Sequence, residues 1–201
     1  MRWKGRRQSD HVVDQRGRRR VSKRGASGGA AILLLLIGLF FGTDVSNILA
    51  PLLSGGLGTQ SQTQTVSAPQ NDEASQFVRT ILAETEDTWN AVFAQMGRQY
   101  RKPKLVLYSG MVQSACGVGS AQAGPFYCPG DYQIYIDLSF LEQLKRMGAP
   151  GDFAFAYVIA HEVGHHVQNL VGIASQVREQ QMRVSKTQSN ALSVKMELQA
   201  D

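Results

Sequence analysis

The 201-residue sequence has few cysteines, no internal repeat and no surplus of positive charge outside its N-terminus. The two cysteines, Cys116 and Cys128, allow one local disulfide, which we expect if this segment lies in an oxidising compartment. Two free thiols are the alternative. A hydrophobic content of 43% and a charged content of 18% are typical of globular proteins, so most of the chain is expected to fold around a core.

The positive charge is confined to one end of the chain. Residues 1–24 carry ten of the 21 basic side chains, against only Asp10 and Asp14. The rest of the chain has eleven basic and fourteen acidic residues, so the net charge of +5 belongs to a tail and not to the domain. We therefore expect no specific nucleic-acid partner. A contact of residues 2–24 with nucleic acid or anionic lipid is a separate alternative.

Residues 25–43 contain no charged side chain, and Asp44 follows them. A helix of that length spans roughly 28 Å, which is enough to cross the hydrocarbon layer of a membrane. The segment predicts an uncleaved transmembrane anchor, with a cleaved signal peptide and a buried helix as alternatives. By the positive-inside rule, residues 1–24 would be a cytoplasmic tail of a single-pass membrane protein. The rest would lie in the periplasm or outside the cell, with residues 44–71 as a flexible linker.

Residues 72–201 are predicted to form the folded domain, an α+β fold that is mostly helical with a small sheet. Apolar residues recur at three- and four-residue steps from Phe77 to Met96, which indicates an amphipathic helix capped by Asn71 or Asp72. The further predicted elements are strands at Lys104–Tyr108 and Gln133–Asp137, a short helix at 139–147, a helix at Asp152–Leu170 with Asp152 as N-cap, and a helix from Ser189 onward. The strand Gln133–Asp137 could be an edge that pairs with an extended substrate, or an internal strand of the core.

The predicted helix at Asp152–Leu170 contains the pattern H-E-x-x-H, from His161 to His165. Residues four apart on a helix project from one face, so the two imidazoles can share a zinc ion. Glu162 lies next to both and is well placed to take a proton from an attacking water. The preceding turns are almost wholly apolar, so two His and a Glu would be buried at high cost without a metal. His166 is expected to be a hydrogen-bonded structural residue.

A third ligand is expected downstream, as a later His or a Glu on a later helix. No histidine follows His166, and only Glu179, Glu197 and Asp201 are acidic beyond the helix. Glu197 is the predicted ligand, with Glu179 as the alternative. Asp201, one helical turn after Glu197, is predicted to accept a hydrogen bond from the free N–H of a ligating histidine.

The segments HEVGHHVQ and ELQAD, preceded by GPFYCP and YIDLSF, resemble those of the bacterial neutral zinc metallopeptidase family. The opening MRW-GRR-SD, the apolar segment and the Gln-rich linker are also similar to that family, so the resemblance covers essentially the whole chain. It implies a zincin-like catalytic domain, one zinc ion and a membrane anchor. It also implies His161 and His165 as ligands and Glu162 as the catalytic residue, and Glu197 fits the family's E-x-x-x-D position. Members continue past ELQAD, so the resemblance further implies that the domain is C-terminally truncated here.

The predicted function is hydrolysis of peptide bonds in a protein or peptide substrate, with zinc as cofactor and Glu162 as general base. The donor that stabilises the oxyanion is left unassigned, with Tyr127, Tyr132 and Tyr135 as candidates by sequence proximity alone. An inactive zinc-binding scaffold that binds partners at the membrane is the alternative function.

Overall fold

The computed structural model describes residues 1–17, 72–148 and 151–201. Among them, five helices and two small sheets form one unit of the chain. The strands are β1 (Val12–Asp14), β2 (Lys104–Tyr108), β3 (Met111–Ser114), β4 (Gly117–Ser120), β5 (Phe126–Cys128) and β6 (Gln133–Asp137). The helices are α1 (Glu73–Gln95), α2 (Phe140–Arg146), α3 (Asp152–Leu170), α4 (Ile173–Gln181) and α5 (Lys186–Ala200), with a short 3₁₀ turn at Ala121–Ala123. The fold therefore mixes helices and small sheets, in agreement with the prediction.

The main sheet has the strand order β1-β2-β6-β5. Strands β1, β2 and β6 run parallel, whereas β5 is antiparallel to β6. Both predicted strands have the predicted bounds, but the suggestion that Gln133–Asp137 is an edge strand is wrong, because β6 pairs on both sides. The two edges of the sheet are β1 and β5, and neither was predicted as a strand. Each has only three residues, which is too short for the alternation that identifies a strand in a sequence.

The helices α1 and α3 pack against one face of the main sheet, where Leu105, Leu107, Ile134 and Ile136 are completely buried. Alternate residues of the same strands, such as Val106 and Tyr135, form a smaller cluster on the other face. The hairpin of β3 and β4 contributes Val112 to this cluster. Cys116 and Cys128 form a disulfide, which ties this hairpin to the edge strand β5.

Helix α1 begins as predicted, because the Asp72 side chain accepts a hydrogen bond from the backbone N–H of Ser75 at 2.8 Å. The predicted N-cap of α3 is wrong. Gly151 occupies that position without a side-chain cap, and Asp152 is the first helical residue. Its carboxylate instead accepts a hydrogen bond from the Trp3 indole nitrogen at 3.0 Å.

Residues 1–17 are part of the folded domain, which corrects the prediction that residues 1–24 form a separate tail. Strand β1 adds to the sheet beside β2, and Trp3 is buried against Phe77 of α1 with ring centroids 5.3 Å apart. The segment has many basic residues and few apolar ones, so its sequence gives no sign that it packs against the domain.

The predicted linker and anchor, residues 44–71 and 25–43, lie outside the described residues. None of the helices in the described part of the chain is long and apolar enough to span a membrane.

Helix α3 supplies a direct test of this core. Phe155 is fully buried and stacks on Phe77, whereas Phe153, two residues earlier, is 74% exposed. We expect Phe155→Ala to lower the free energy of unfolding by about 3–5 kcal/mol through the cavity it leaves. The matched control Phe153→Ala should stay within about 0.5 kcal/mol. Denaturant unfolding of the full chain measures both, and equal losses would contradict this packing.

Candidate metal centre

Three side chains from two helices converge at one point. His161 and His165 project from one face of α3, and Glu197 reaches them from α5. The Nε2 atoms of the two histidines are 3.1 Å apart. One Glu197 carboxylate oxygen lies 3.2 Å from His161 Nε2 and 3.3 Å from His165 Nε2. The structure thus brings together the three residues that the sequence predicts as ligands.

The size of this triangle matches a small tetrahedral metal ion. Zinc bonds of about 2.0–2.1 Å in tetrahedral geometry place ligand atoms roughly 3.3 Å apart. Two imidazole nitrogens and a carboxylate oxygen are also donors that zinc prefers, and a three-residue set leaves a fourth position open. The residues present therefore fit a catalytic zinc ion.

The hydrogen bonds of the imidazoles direct their Nε2 lone pairs into the triangle. His161 Nδ1 donates to Asp201 at 2.8 Å, and His165 Nδ1 donates to the Gln168 side-chain oxygen at 3.0 Å. With Nδ1 protonated in each neutral ring, both Nε2 atoms are acceptors, and so is the Glu197 carboxylate. Three acceptors this close repel one another unless a proton or a metal cation lies between them.

Gln168 is a site residue that the sequence analysis missed. Its amide nitrogen donates to the Met196 carbonyl oxygen at 2.7 Å and to the Gln199 side-chain oxygen at 3.1 Å. Both partners are acceptors, so the amide is oriented with its oxygen toward His165. The signal was present in the sequence, because Gln168 lies three residues after His165 and therefore on the same helical face.

Asp201 is placed as predicted for a residue that orients a ligand. Besides His161, it accepts a hydrogen bond from the Tyr157 hydroxyl. Tyr157 and His161 together hold the pKa of the Asp201 carboxyl below its usual range, so it stays ionised. An ionised partner at Nδ1 keeps that nitrogen protonated and makes Nε2 a better ligand.

Glu162 is buried beside the two histidines, with 7% of its surface exposed. Burial raises the pKa of its carboxyl to about 7, and the Glu197 charge acts in the same direction. His165 and a backbone hydrogen bond from Tyr127 of β5 oppose this rise. A carboxyl with a pKa near neutrality can both accept and return a proton at physiological pH.

Gly164, inside the H-E-x-x-H pattern, allows the close contact between α3 and α5. A Cβ atom at this position would lie 2.6 Å from the Ala200 carbonyl oxygen and 3.0 Å from its Cα. Both are backbone atoms of α5, so a side chain at position 164 could be accommodated only if α5 moved away. Any larger residue would therefore push away the helix that carries Glu197.

His166 has a structural role, which confirms the prediction. It is completely buried, donates from Nε2 to the Arg101 carbonyl oxygen at 2.6 Å, and pairs through Nδ1 with the Tyr127 hydroxyl at 3.1 Å. Burial lowers the pKa of its imidazole to about 4, so it is neutral. The Tyr127 hydroxyl also accepts from Asn169 at 2.9 Å.

The remaining sequence candidates lie away from the triangle or are engaged elsewhere. Glu179 lies exposed on α4 and is not a member of the ligand group. The Tyr135 hydroxyl donates to Asp131 at 2.7 Å, and Tyr132 packs against His166. The hydroxyls of Tyr127 and Tyr135 are thus already paired within the fold.

A cleft of about 280 Å³ opens beside the ligand triangle. It lies between β5 and the helices α4 and α5, and its wall combines apolar side chains with polar ones such as Gln168, Gln181 and Ser193. Its lining includes Tyr127, Pro129, His165, Ala174, Val177, Arg178, Met196 and Glu197. The cleft therefore reaches two of the three residues of the triangle, His165 and Glu197.

The family described as "Putative neutral zinc metallopeptidase" matches residues 1–201. The chain belongs to this family. Over 211 aligned residues it is 47% identical to an uncharacterized protein, YpfJ, of Escherichia coli strain K12, and the match covers all of this chain and 72% of that protein. It is 37% identical over 131 residues to an uncharacterized protein, Mb2605, of Mycobacterium bovis, covering 64% of this chain and 43% of that one. No solved structure matches this chain significantly.

The contact between α3 and α5 can be tested at Gly164. Gly164→Ala should displace the helix that carries Glu197. We therefore expect it to weaken zinc binding about tenfold or more, which is the typical effect of losing a residue that orients a metal ligand. Competition with a chromophoric chelator measures the affinity. Ala160→Ser, at an exposed position one turn earlier on α3, is the control and should bind zinc normally. Unchanged affinity in Gly164→Ala would contradict the role of this contact.

Proposed function

We propose that this chain is a zinc-dependent endopeptidase with a zincin-like domain, hydrolysing peptide bonds in a protein or peptide substrate. One observation carries the proposal. The ligand triangle of His161, His165 and Glu197 lies beside the buried carboxyl of Glu162 and opens on a cleft. Family membership supports the same reaction class.

The ligand set would hold one zinc ion, with Asp201 and Gln168 orienting its two imidazoles. Zinc, when bound, supplies Lewis acidity that polarises a peptide carbonyl and acidifies water. His161 and His165 each use Nδ1 to bond to a neighbouring oxygen, so Nε2 is the nitrogen of each ring that would ligate the metal.

Glu162 moves the proton. Its carboxylate accepts a proton from water as the water oxygen attacks the scissile carbonyl carbon, and then donates that proton to the leaving amine nitrogen. Burial raises the pKa of Glu162 to about 7, which favours a carboxyl that can hold the proton between the two transfers.

The edge strand β5 offers a place for an extended peptide. One side of β5 pairs with β6. The backbone of Tyr127, in the middle of β5, forms a hydrogen bond with the Glu162 carboxyl. A peptide that adds to the other side of β5 would pass the catalytic carboxyl with its backbone in line with the cleft. The disulfide between Cys116 and Cys128 holds β5 in position for such pairing.

We further propose that residues 25–43 attach the protein to a membrane and that the domain lies in the periplasm or outside the cell. The charge-free sequence of that segment supports the attachment. The disulfide supports an oxidising compartment.

The base assignment is tested by Glu162→Gln, which keeps the shape of the side chain and removes its ability to accept a proton. We expect zinc content to be unchanged and hydrolysis of an unfolded protein substrate to fall by at least about 10²-fold. Glu179→Gln, an exposed position on α4, is the matched control and should keep full activity. Retained turnover in Glu162→Gln would contradict the assignment.

The ligand assignment is tested by Glu197→Ala, which removes one corner of the triangle. Both proteins are equilibrated with a chelator at a concentration that leaves zinc on the wild type, and their zinc content is measured by metal analysis. We expect the variant to lose its zinc under these conditions. Equal zinc in both would refute Glu197 as a ligand. Zinc in wild type without cleavage of any unfolded protein would instead favour an inactive scaffold.

A further inference from the structure

The basic N-terminal segment, residues 1–17, has an acidic counterpart on the surface of α1. Lys4 pairs with Glu73 at 2.6 Å, and Arg6 pairs with Glu84 at 3.0 Å. These two contacts join exposed side chains and contribute little individually. Together they show that part of the positive charge of this segment is matched by carboxylates of α1.

Arg7 makes the most extensive of these contacts. Its guanidinium contacts Asp87 at 2.7 Å and Glu86 at 3.2 Å, and also donates to the Ala83 carbonyl oxygen at 2.7 Å. A guanidinium that binds two carboxylates and a carbonyl at once is held in one orientation. Arg7 is therefore a specific connection between the segment and α1.

Glu86 is a fully buried carboxylate whose partners come mainly from the segment. Ser9 donates to it at 2.5 Å, and His11 and Arg7 approach within 3.0 and 3.2 Å. From the rest of the domain, Lys102 lies 3.5 Å away. A buried carboxylate is costly unless it is paired, and three of the four partners named here belong to the segment, so Glu86 favours the docked position of the segment.

The chain leaves the described part of the domain after Gly17 and rejoins it at Asp72. Arg16 and Asp72, at these two points, form an ion pair of 2.7 Å in which the Arg16 side chain is 8% exposed. Strand β1, just before the first point, is hydrogen-bonded in parallel to β2. A single membrane crossing between Gly17 and Asp72 would place β1 and β2 in different compartments.

We infer that residues 1–17 and the metal-binding domain lie on the same side of the membrane, because the basic segment is a docking element for the acidic face of α1. The charge pattern alone predicts a single-pass protein with a cytoplasmic N-terminus. The inference replaces that topology with one in which residues 1–17 and the domain share a compartment. It also assigns four basic residues of this segment, Lys4, Arg6, Arg7 and Arg16, carboxylate partners within the chain in place of a nucleic acid or an anionic lipid. The inference does not depend on zinc or on peptidase activity.

The same docking connects the segment to the metal-binding helix. Trp3 donates to Asp152 at the start of α3 and packs on Phe77, which in turn stacks on Phe155 of α3 with ring centroids 5.8 Å apart. Removing the segment from the domain would therefore expose the contact between α1 and α3, two turns before His161.

Sidedness is tested with two variants of the full chain in bacterial membranes that each add one cysteine, Asp10→Cys and Glu179→Cys, both at exposed positions. A membrane-impermeant maleimide of high mass is applied to right-side-out and to inverted vesicles, and the unsubstituted chain sets the background from Cys116 and Cys128. We expect both variants to react in the same vesicle orientation. Reaction of one variant in each orientation would overturn the inference.

Docking is tested separately by charge reversal. Arg7→Glu should lower the thermal unfolding midpoint of the full chain by about 5 °C or more, because Arg7 contacts two carboxylates. Arg2→Glu is the matched control, since Arg2 forms no ion pair with any described residue, and it should shift the midpoint by less than about 2 °C. Equal shifts in the two variants would overturn the docking.

Discussion

The metal centre depends on the burial of α3 against α1 and the sheet. This helix is apolar on one side, where Phe155, Ile159 and Val163 are fully buried. Because that face is buried, the opposite face of the helix has a fixed direction, and both histidines project toward Glu197 without any loop to position them. Metal sites built on a packed helix keep their geometry because moving a ligand would require moving the core.

The second helix of the site, α5, is held in place by a few specific contacts with α3 and not by a buried apolar face. Helix α5 has no fully buried residue, and it lies against α3 where Gly164 leaves room for Ala200. Gln168 joins the two helices by bonding to His165 on one side and to the Met196 carbonyl oxygen on the other. The same residues therefore orient the imidazole and hold the helix that carries the third ligand.

The N-terminal segment shows how a charge pattern can have two physical meanings. A run of basic residues before an apolar stretch is typical of a cytoplasmic tail. The same residues can equally neutralise an acidic surface, and here Glu86 and Asp87 provide one. Composition cannot distinguish the two cases, because it contains the charges and not the distances between them.

The sequence alone determined the elements with a strong period or spacing: the bounds of β2, β6 and α3, the pair His161 and His165, and Glu162 beside them. These depend on local geometry, since residues four apart on a helix share a face in any fold. Tertiary structure decided between Glu197 and Glu179 as the carboxylate that meets the histidines, that Gln168 orients His165, and that β5 forms one edge of the sheet. It also decided that residues 1–17 belong to the domain. Each of these depends on contacts between distant parts of the chain, which only packing brings together.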